Sequence, residues 1–181
     1  MGRVAIVIGH NKKVKGAYSK YLKISEWDFY KDISEKIREM DTAGNVDIYF
    51  RNYHGSYSQE MRELTNKLNR KDYKLIIELH FNSSSNPLAY GAEVLLFHSS
   101  KKGIKESVRF LNNLREEYEN RIRGLVPVTK ATQRGGMGIC NTKAPYILIE
   151  PFFASNRVDA EKFEDRNKLA RFIYNFLTEV E

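Results

Sequence analysis

The chain has 181 residues, 41% hydrophobic and 29% charged, and carries a formal net charge of +7. These values fit one globular domain with a real core and exclude a disordered chain. No apolar run approaches the roughly 18–20 residues of a membrane helix, and the stretch between Arg3 and His10 is too short for a secretory leader, so the chain is expected to be cytoplasmic as synthesised.

The first predicted element is a strand over Arg3 to Ile8, leading to His10. A polar loop follows over Asn11 to Leu22. A helix then starts near Ser25, where Ser25-x-x-Asp28 resembles a capping box. Trp27, Tyr30, Ile33, Ile37 and Met40 recur at helical spacing, and Gly44 closes the element. Val46 to Phe50 reads as a second strand, Arg51 to Tyr57 as a loop and Ser58 to Leu68 as a polar helix. The third strand is Tyr73 to Leu79, with Ile76, Glu78 and His80 on one face because successive side chains alternate. A loop over Asn82 to Tyr90 leads to a fourth strand, Gly91 to His98. A long helix is predicted over Gly103 to Gly124, with Pro127 as its stop signal. Val128 to Thr142 reads as irregular, and its glycines do not match a phosphate-binding loop. The last strand runs from Pro145 to Glu150, and a terminal helix covers Asp159 to Val180.

Strands alternating with helices predict an α/β fold, a mostly parallel twisted sheet of about five to six strands with helices on both faces. Residues 1–181 are read as a single domain. The strands beginning at Arg3, Tyr73 and Pro145 are the most continuously apolar, which places them centrally.

Those strands end in side chains able to bind a metal or move a proton: His10, His80 and Glu150. Ligands of open α/β sheets bind at the carboxyl ends of strands. Zinc hydrolases use three His, Glu or Asp ligands and leave one position for water. The chain has four histidines, the others being His54 and His98. A lone strand-end histidine is more often a hydrogen-bonded structural group than a ligand. Glu26 is a candidate carboxylate ligand, although an acid in a first helical turn is favoured by the helix dipole anyway. Glu78 is its rival. Glu150 sits between Tyr-Ile-Leu-Ile and Pro-Phe-Phe, where desolvation would raise its pKa and poise it as an acid or base. A buried salt bridge to a residue such as Arg134 is the alternative. The single cysteine, Cys140, rules out an intrachain disulfide and a cysteine-based zinc site, and reads as an ordinary loop thiol. The positive charge favours an anionic partner such as nucleic acid, membrane or acidic wall polymer. The basic residues are scattered and no nucleic-acid motif accompanies them, so neither nucleic acid nor membrane is expected as a partner. Nothing in the sequence speaks to oligomeric state.

The ordered set of IVIGHN with Gly16-Ala17, Ser25-Glu26-Trp27, ELHFNS, GAEVLLFHS and PYILIEPFFASNRVD resembles the zinc-dependent N-acetylmuramoyl-L-alanine amidases, and within them the phage endolysin catalytic domains. The resemblance implies Zn²⁺ held by His10, Glu26 and His80, with Glu150 as the catalytic carboxylate. It implies peptidoglycan as the substrate, cut between N-acetylmuramic acid and L-alanine. Asn11, Asn82, Ser83 and Arg134 are then candidate substrate contacts. Like a phage endolysin, the chain would reach the wall after a separate release step. No separate wall-binding module is recognisable, and the basic surface would supply wall affinity in its place. The opening motif departs from the family in reading Gly-His-Asn where many relatives have Gly-His-Gly. A zinc peptidase cutting within the stem peptide is a rival enzyme class. A non-catalytic basic wall-binding module is the rival outside enzymes.

Overall fold

The structure is a computed structural model and describes residues 2–181. The elements in order are β1 (Val4–Ile8), β2 (Tyr18–Ser19), β3 (Ile24–Ser25), α1 (Glu26–Met40), β4 (Val46–Phe50), α2 (Tyr57–Leu68) and β5 (Ile76–Leu79). They continue with β6 (Ala92–Phe97), α3 (Lys101–Tyr118), β7 (Ile122–Val128), α4 (Gly136–Asn141), β8 (Tyr146–Glu150), α5 (Arg157–Lys162) and α6 (Arg166–Thr178).

Six strands form one sheet in the order β4-β1-β5-β8-β6-β7, and β2 with β3 forms a small separate ribbon. Every pair in the large sheet is parallel except β6 with β8. The apolar strands β1, β5 and β8 lie adjacent in the interior, as their composition predicts. Alternation divides their side chains between two cores. Ile6, Ile8, Ile77, Leu79, Ile147 and Ile149 pack with Phe29, Ile33, Phe110 and Phe176 on the face covered by α1, α3 and α6. Ala5, Val7, Ile76 and Leu148 pack with Met61, Leu64, Leu68 and Ile139 on the face covered by α2 and α4. Sheet and helices together bury the apolar periodicity that the sequence displays.

Four predicted segments differ. The helix expected to reach Gly124 stops at Tyr118, where Glu119 takes a left-handed backbone with φ of 48°. Residues 122–128 then form β7, which among the described residues pairs with β6 alone, at the edge of the sheet. Pro127 lacks an N–H to give to a neighbour, so its place on an edge strand satisfies the ladder, and it is not a helix stop. The single terminal helix is split, because the Asp165 side chain accepts from the backbone N–H groups of Asn167 and Lys168 and starts α6 anew. The segment expected to be irregular over Val128 to Thr142 contains the short α4, and the Asn11 to Leu22 loop contributes β2.

Candidate active site

Because β1, β5 and β8 are parallel neighbours, their carboxyl ends open on one edge of the sheet. His10 follows β1, His80 follows β5, and Glu150 is the last residue of β8. These side chains line a cleft of about 780 Å³ together with Glu26, Asn82, Ser83 and Arg134.

Glu26 arrives from the first turn of α1. The β2–β3 ribbon brings it there: the Glu26 backbone N–H donates to the Ala17 carbonyl at 2.9 Å, and that of Trp27 to Lys15 at 3.0 Å. Ser25 caps the helix by accepting from the Asp28 N–H. The buried Glu26 carboxylate then sits between two imidazoles. One oxygen is 2.7 Å from His80 Nδ1 and the other is 3.0 Å from His10 Nε2. The backbone N–H groups of Phe81 and Ala17 each donate to one of these oxygens. Burial alone would raise the Glu26 pKa, but hydrogen bonds from His10 and His80 outweigh it and hold the carboxyl down to about 2.

Burial likewise opposes charge on His80, yet Glu26 and then Glu78 overcome it and raise its pKa to about 10. Glu78 is 3.1 Å from His80 Nε2 and accepts from the Tyr146 hydroxyl at 2.9 Å. The two carboxylates grip opposite nitrogens of one ring, Glu26 together with His10 on one side and Glu78 with Tyr146 on the other, and both line the cleft. Tyr30 adds a further strut by donating its hydroxyl to the His80 carbonyl at 2.7 Å.

His10 has φ of 65°, a region unfavourable for a residue with a Cβ. Its carbonyl accepts from Arg51 Nε at 3.0 Å. Asn11 locks the next step of the chain. Its side-chain oxygen accepts from the N–H groups of Lys13 and Val14, and its amide donates to Glu60 on α2 at 2.9 Å. Asn11 lines the cleft beside His10; with 2% of its surface exposed and both ends of its amide engaged, it also braces the His10 loop.

Ligand atoms of His10, Glu26 and His80 all lie within 4.8 Å of one another, the separation expected for groups able to share one ion. Two glycines keep that space open. A Cβ on Gly16 would stand 2.5 Å from the His10 ring and 2.6 Å from a Glu26 oxygen, and one on Gly9 would stand 2.4 Å from His80. Two imidazoles and a carboxylate in a partly solvated cleft suit a borderline cation such as zinc.

Glu150 lies on the next strand and is 7% exposed. Burial raises its pKa to about 7, with Arg134 opposing and Glu93 adding to the shift. Both readings of this residue meet here: Arg134 is present, 3.4 Å away, but being half exposed it does not cancel the desolvation. Asn82 donates to Glu150 at 2.9 Å. Ser83 stands on the rim with its backbone N–H turned to the Asn82 side chain.

The other histidines are elsewhere. β6 runs antiparallel to β8, so His98 emerges at the opposite edge of the sheet. His54 pairs with Glu63 on the surface. Cys140 lies in α4, where burial raises its thiol pKa and disfavours the thiolate. Sequence reasoning missed Arg51, Glu60 and Glu93. The signal for Glu93 was present, an acid in the apolar run GAEVLLF.

An α/β sheet presenting two histidines and a glutamate at the carboxyl ends of its central strands, with a second glutamate brought in by a helix, has the form of a metal-site hydrolase. A family model described as N-acetylmuramoyl-L-alanine amidase matches residues 4–179, and the chain belongs to that family. Its activity is hydrolysis of the amide between N-acetylmuramic acid and L-alanine in peptidoglycan. A search of curated protein sequences finds no significant match. Among solved structures, an N-acetylmuramoyl-L-alanine amidase from Clostridium difficile 630 is 17% identical, with a TM-score of 0.77 over 98% of this chain and 95% of that one. The catalytic domain of the CD27L endolysin targeting Clostridia difficile is 22% identical, with a TM-score of 0.78 over 98% and 97%. The catalytic domain of the amidase CwlV from Bacillus (Paenibacillus) polymyxa var. colistinus is 21% identical, with a TM-score of 0.70 over 99% of both chains. At these identities the likenesses establish a shared fold.

Proposed function

We propose that the chain hydrolyses the amide bond with a zinc ion held by His10, Glu26 and His80 and with Glu150 as the catalytic carboxylate. The observation that carries this reading is the Glu26 carboxylate clasped between two imidazoles, with all ligand atoms within 4.8 Å of one another. A bound zinc ion would polarise the scissile carbonyl and acidify a water molecule beside it. Glu150, with a carboxyl whose pKa lies near neutrality, takes a proton from the attacking water and returns it to the leaving amino nitrogen of L-alanine. Asn82 and Arg134 hold that carboxylate on the cleft side of β8. Arg134 and Ser83 line the cleft mouth and offer donors to the carbonyls and carboxylates of the stem peptide. Likeness to an endolysin catalytic domain supports a lytic role, with the enzyme reaching its peptidoglycan partner from the cytoplasm after a separate release step.

The test is direct. The purified protein is assayed for bound metal and incubated with peptidoglycan, with and without a chelator. About one zinc per chain, new free amino groups on L-alanine and loss of cleavage on chelation are expected. Cleavage that persists in the chelated, metal-free protein would refute the zinc assignment. New amino groups on residues other than L-alanine would refute the bond assignment.

A further inference from the structure

Glu93 of β6 lies directly opposite Glu150 across the antiparallel β6–β8 pair. Both side chains are buried. Like charges facing each other on a ladder destabilise a sheet, and a buried carboxylate adds a desolvation penalty. The neighbouring positions Val94, Leu95 and Leu96 are apolar, so packing gives no reason for an acid here.

Three polar groups hold Glu93 in place. Arg123 belongs to a bulge in β7: the register passes from Ala92 opposite Ile122 to Glu93 opposite Gly124, leaving Arg123 without a partner on β6. Bulges re-aim side chains, and Arg123 Nε donates to Glu93 Oε2 at 2.8 Å. Arg134 donates to Glu93 Oε1 with one guanidinium nitrogen and faces Glu150 Oε2 with another at 3.4 Å. Asn82 Nδ2 bridges the two acids, 3.1 Å from Glu93 Oε1 and 2.9 Å from Glu150 Oε2. Asn82, which donates to Glu150, and Arg134, which pairs with it electrostatically, are thus both anchored on Glu93.

We infer that Glu93 is a positioning residue for the reaction, its carboxylate fixing the Asn82 amide and the Arg134 guanidinium so that the Glu150 carboxylate is held in one orientation toward the cleft. The inference rests on the reading of Glu150 as the catalytic carboxylate. It also accounts for the β7 bulge, which supplies the second cation that keeps Glu93 ionised. Loss of Glu93 frees Asn82 and Arg134 to turn away, leaving Glu150 misaligned while the metal ligands on β1, α1 and β5 stay in place.

The test is a double-mutant cycle on the metal-loaded enzyme acting on peptidoglycan fragments. Glu93→Gln keeps the shape of the side chain and removes its charge. It should lower kcat by roughly 10- to 100-fold, the range for outer residues that orient catalytic ones, with KM within about two-fold and metal content unchanged. In a Glu150→Gln background the same substitution should change the residual rate by less than about two-fold, because its target is gone. Arg123→Gln, on the exposed side of the edge strand, approaches the same anchor from outside. It should lower kcat several-fold with KM unchanged, which keeps the inference testable if the Glu93 variant folds poorly. Wild-type kcat in Glu93→Gln, or an equal fractional loss with and without Glu150, would overturn the inference and leave Glu150 untouched. Near-wild-type turnover in Glu150→Gln would overturn the assignment of Glu150 itself, and this inference with it.

Discussion

Replacing Glu150 with glutamine should make the metal-free protein more stable at neutral pH while abolishing turnover when metal is restored. Burial holds the Glu150 carboxyl near about 7, against an ordinary value of 4.5. Between those values the folded chain keeps a proton that the unfolded chain releases. The folded state therefore binds more protons, and its stability falls as pH rises through this window. The penalty is absent below 4.5 and complete above about 7. At 1.36 kcal/mol per pKa unit it amounts to roughly 3 kcal/mol at pH 8. Glutamine has the shape of the neutral acid and carries none of it. The attraction of Arg134 is already contained in that raised value, since it opposes the shift. The net gain is therefore about 3 kcal/mol at pH 8, or roughly 6–12 °C in Tm for a domain of this size. Denaturant unfolding of both proteins in chelator, from pH 4 to pH 8.5, reads this difference. It should vanish near pH 4 and grow with pH. Peptidoglycan hydrolysis by the metal-loaded variant should fall by at least about 100-fold. A glutamine variant no more stable at pH 8 than at pH 4, relative to wild type, would show that burial does not hold this carboxyl up.

Two further outcomes follow from the metal cradle. Glu78→Gln removes the carboxylate at His80 Nε2 and should weaken metal retention about 10- to 100-fold, read by competition with a chromophoric chelator; unchanged affinity would show that Tyr30 and Glu26 suffice to orient the ring. Gly16→Ala drives a methyl group into the His10 ring and Glu26 at a residue with φ of 77°, whereas Gly44→Ala meets open space at φ of 65°. Both should lose about 1 kcal/mol to backbone strain, but only the Gly16 variant should lose metal, as measured by metal content after dialysis. Full metal occupancy in Gly16→Ala would refute the cradle.

Sequence by itself determined the elements whose signals are local. Apolar runs of strand length marked β1, β5 and β8, and the loop residues after them placed His10, His80 and Glu150 at strand ends. Ser25 with Asp28 marked the start of α1 and hence the position of Glu26. Such patterns follow from side-chain alternation and helix capping, which need only near neighbours. They fail where a residue's meaning depends on its partner. Pro127 reads as a helix stop until β6 lies alongside and makes it an edge-strand residue. Asn11 reads only as a candidate substrate contact, and its second role, tying the His10 loop to Glu60, exists only once α2 packs against it.

Tertiary structure decided which candidates share a site. Glu26 meets His80 across 54 positions of chain, because α1 packs on the sheet face beside β5. Glu78, two residues from His80, ends up on the ring nitrogen opposite Glu26, and His98 leaves the site because β6 runs the other way. The pairing of Glu93 with Glu150 exists only in the register of β6 against β8. Register and strand direction are settled by burying both faces of the whole sheet at once, and no short stretch of sequence contains that information.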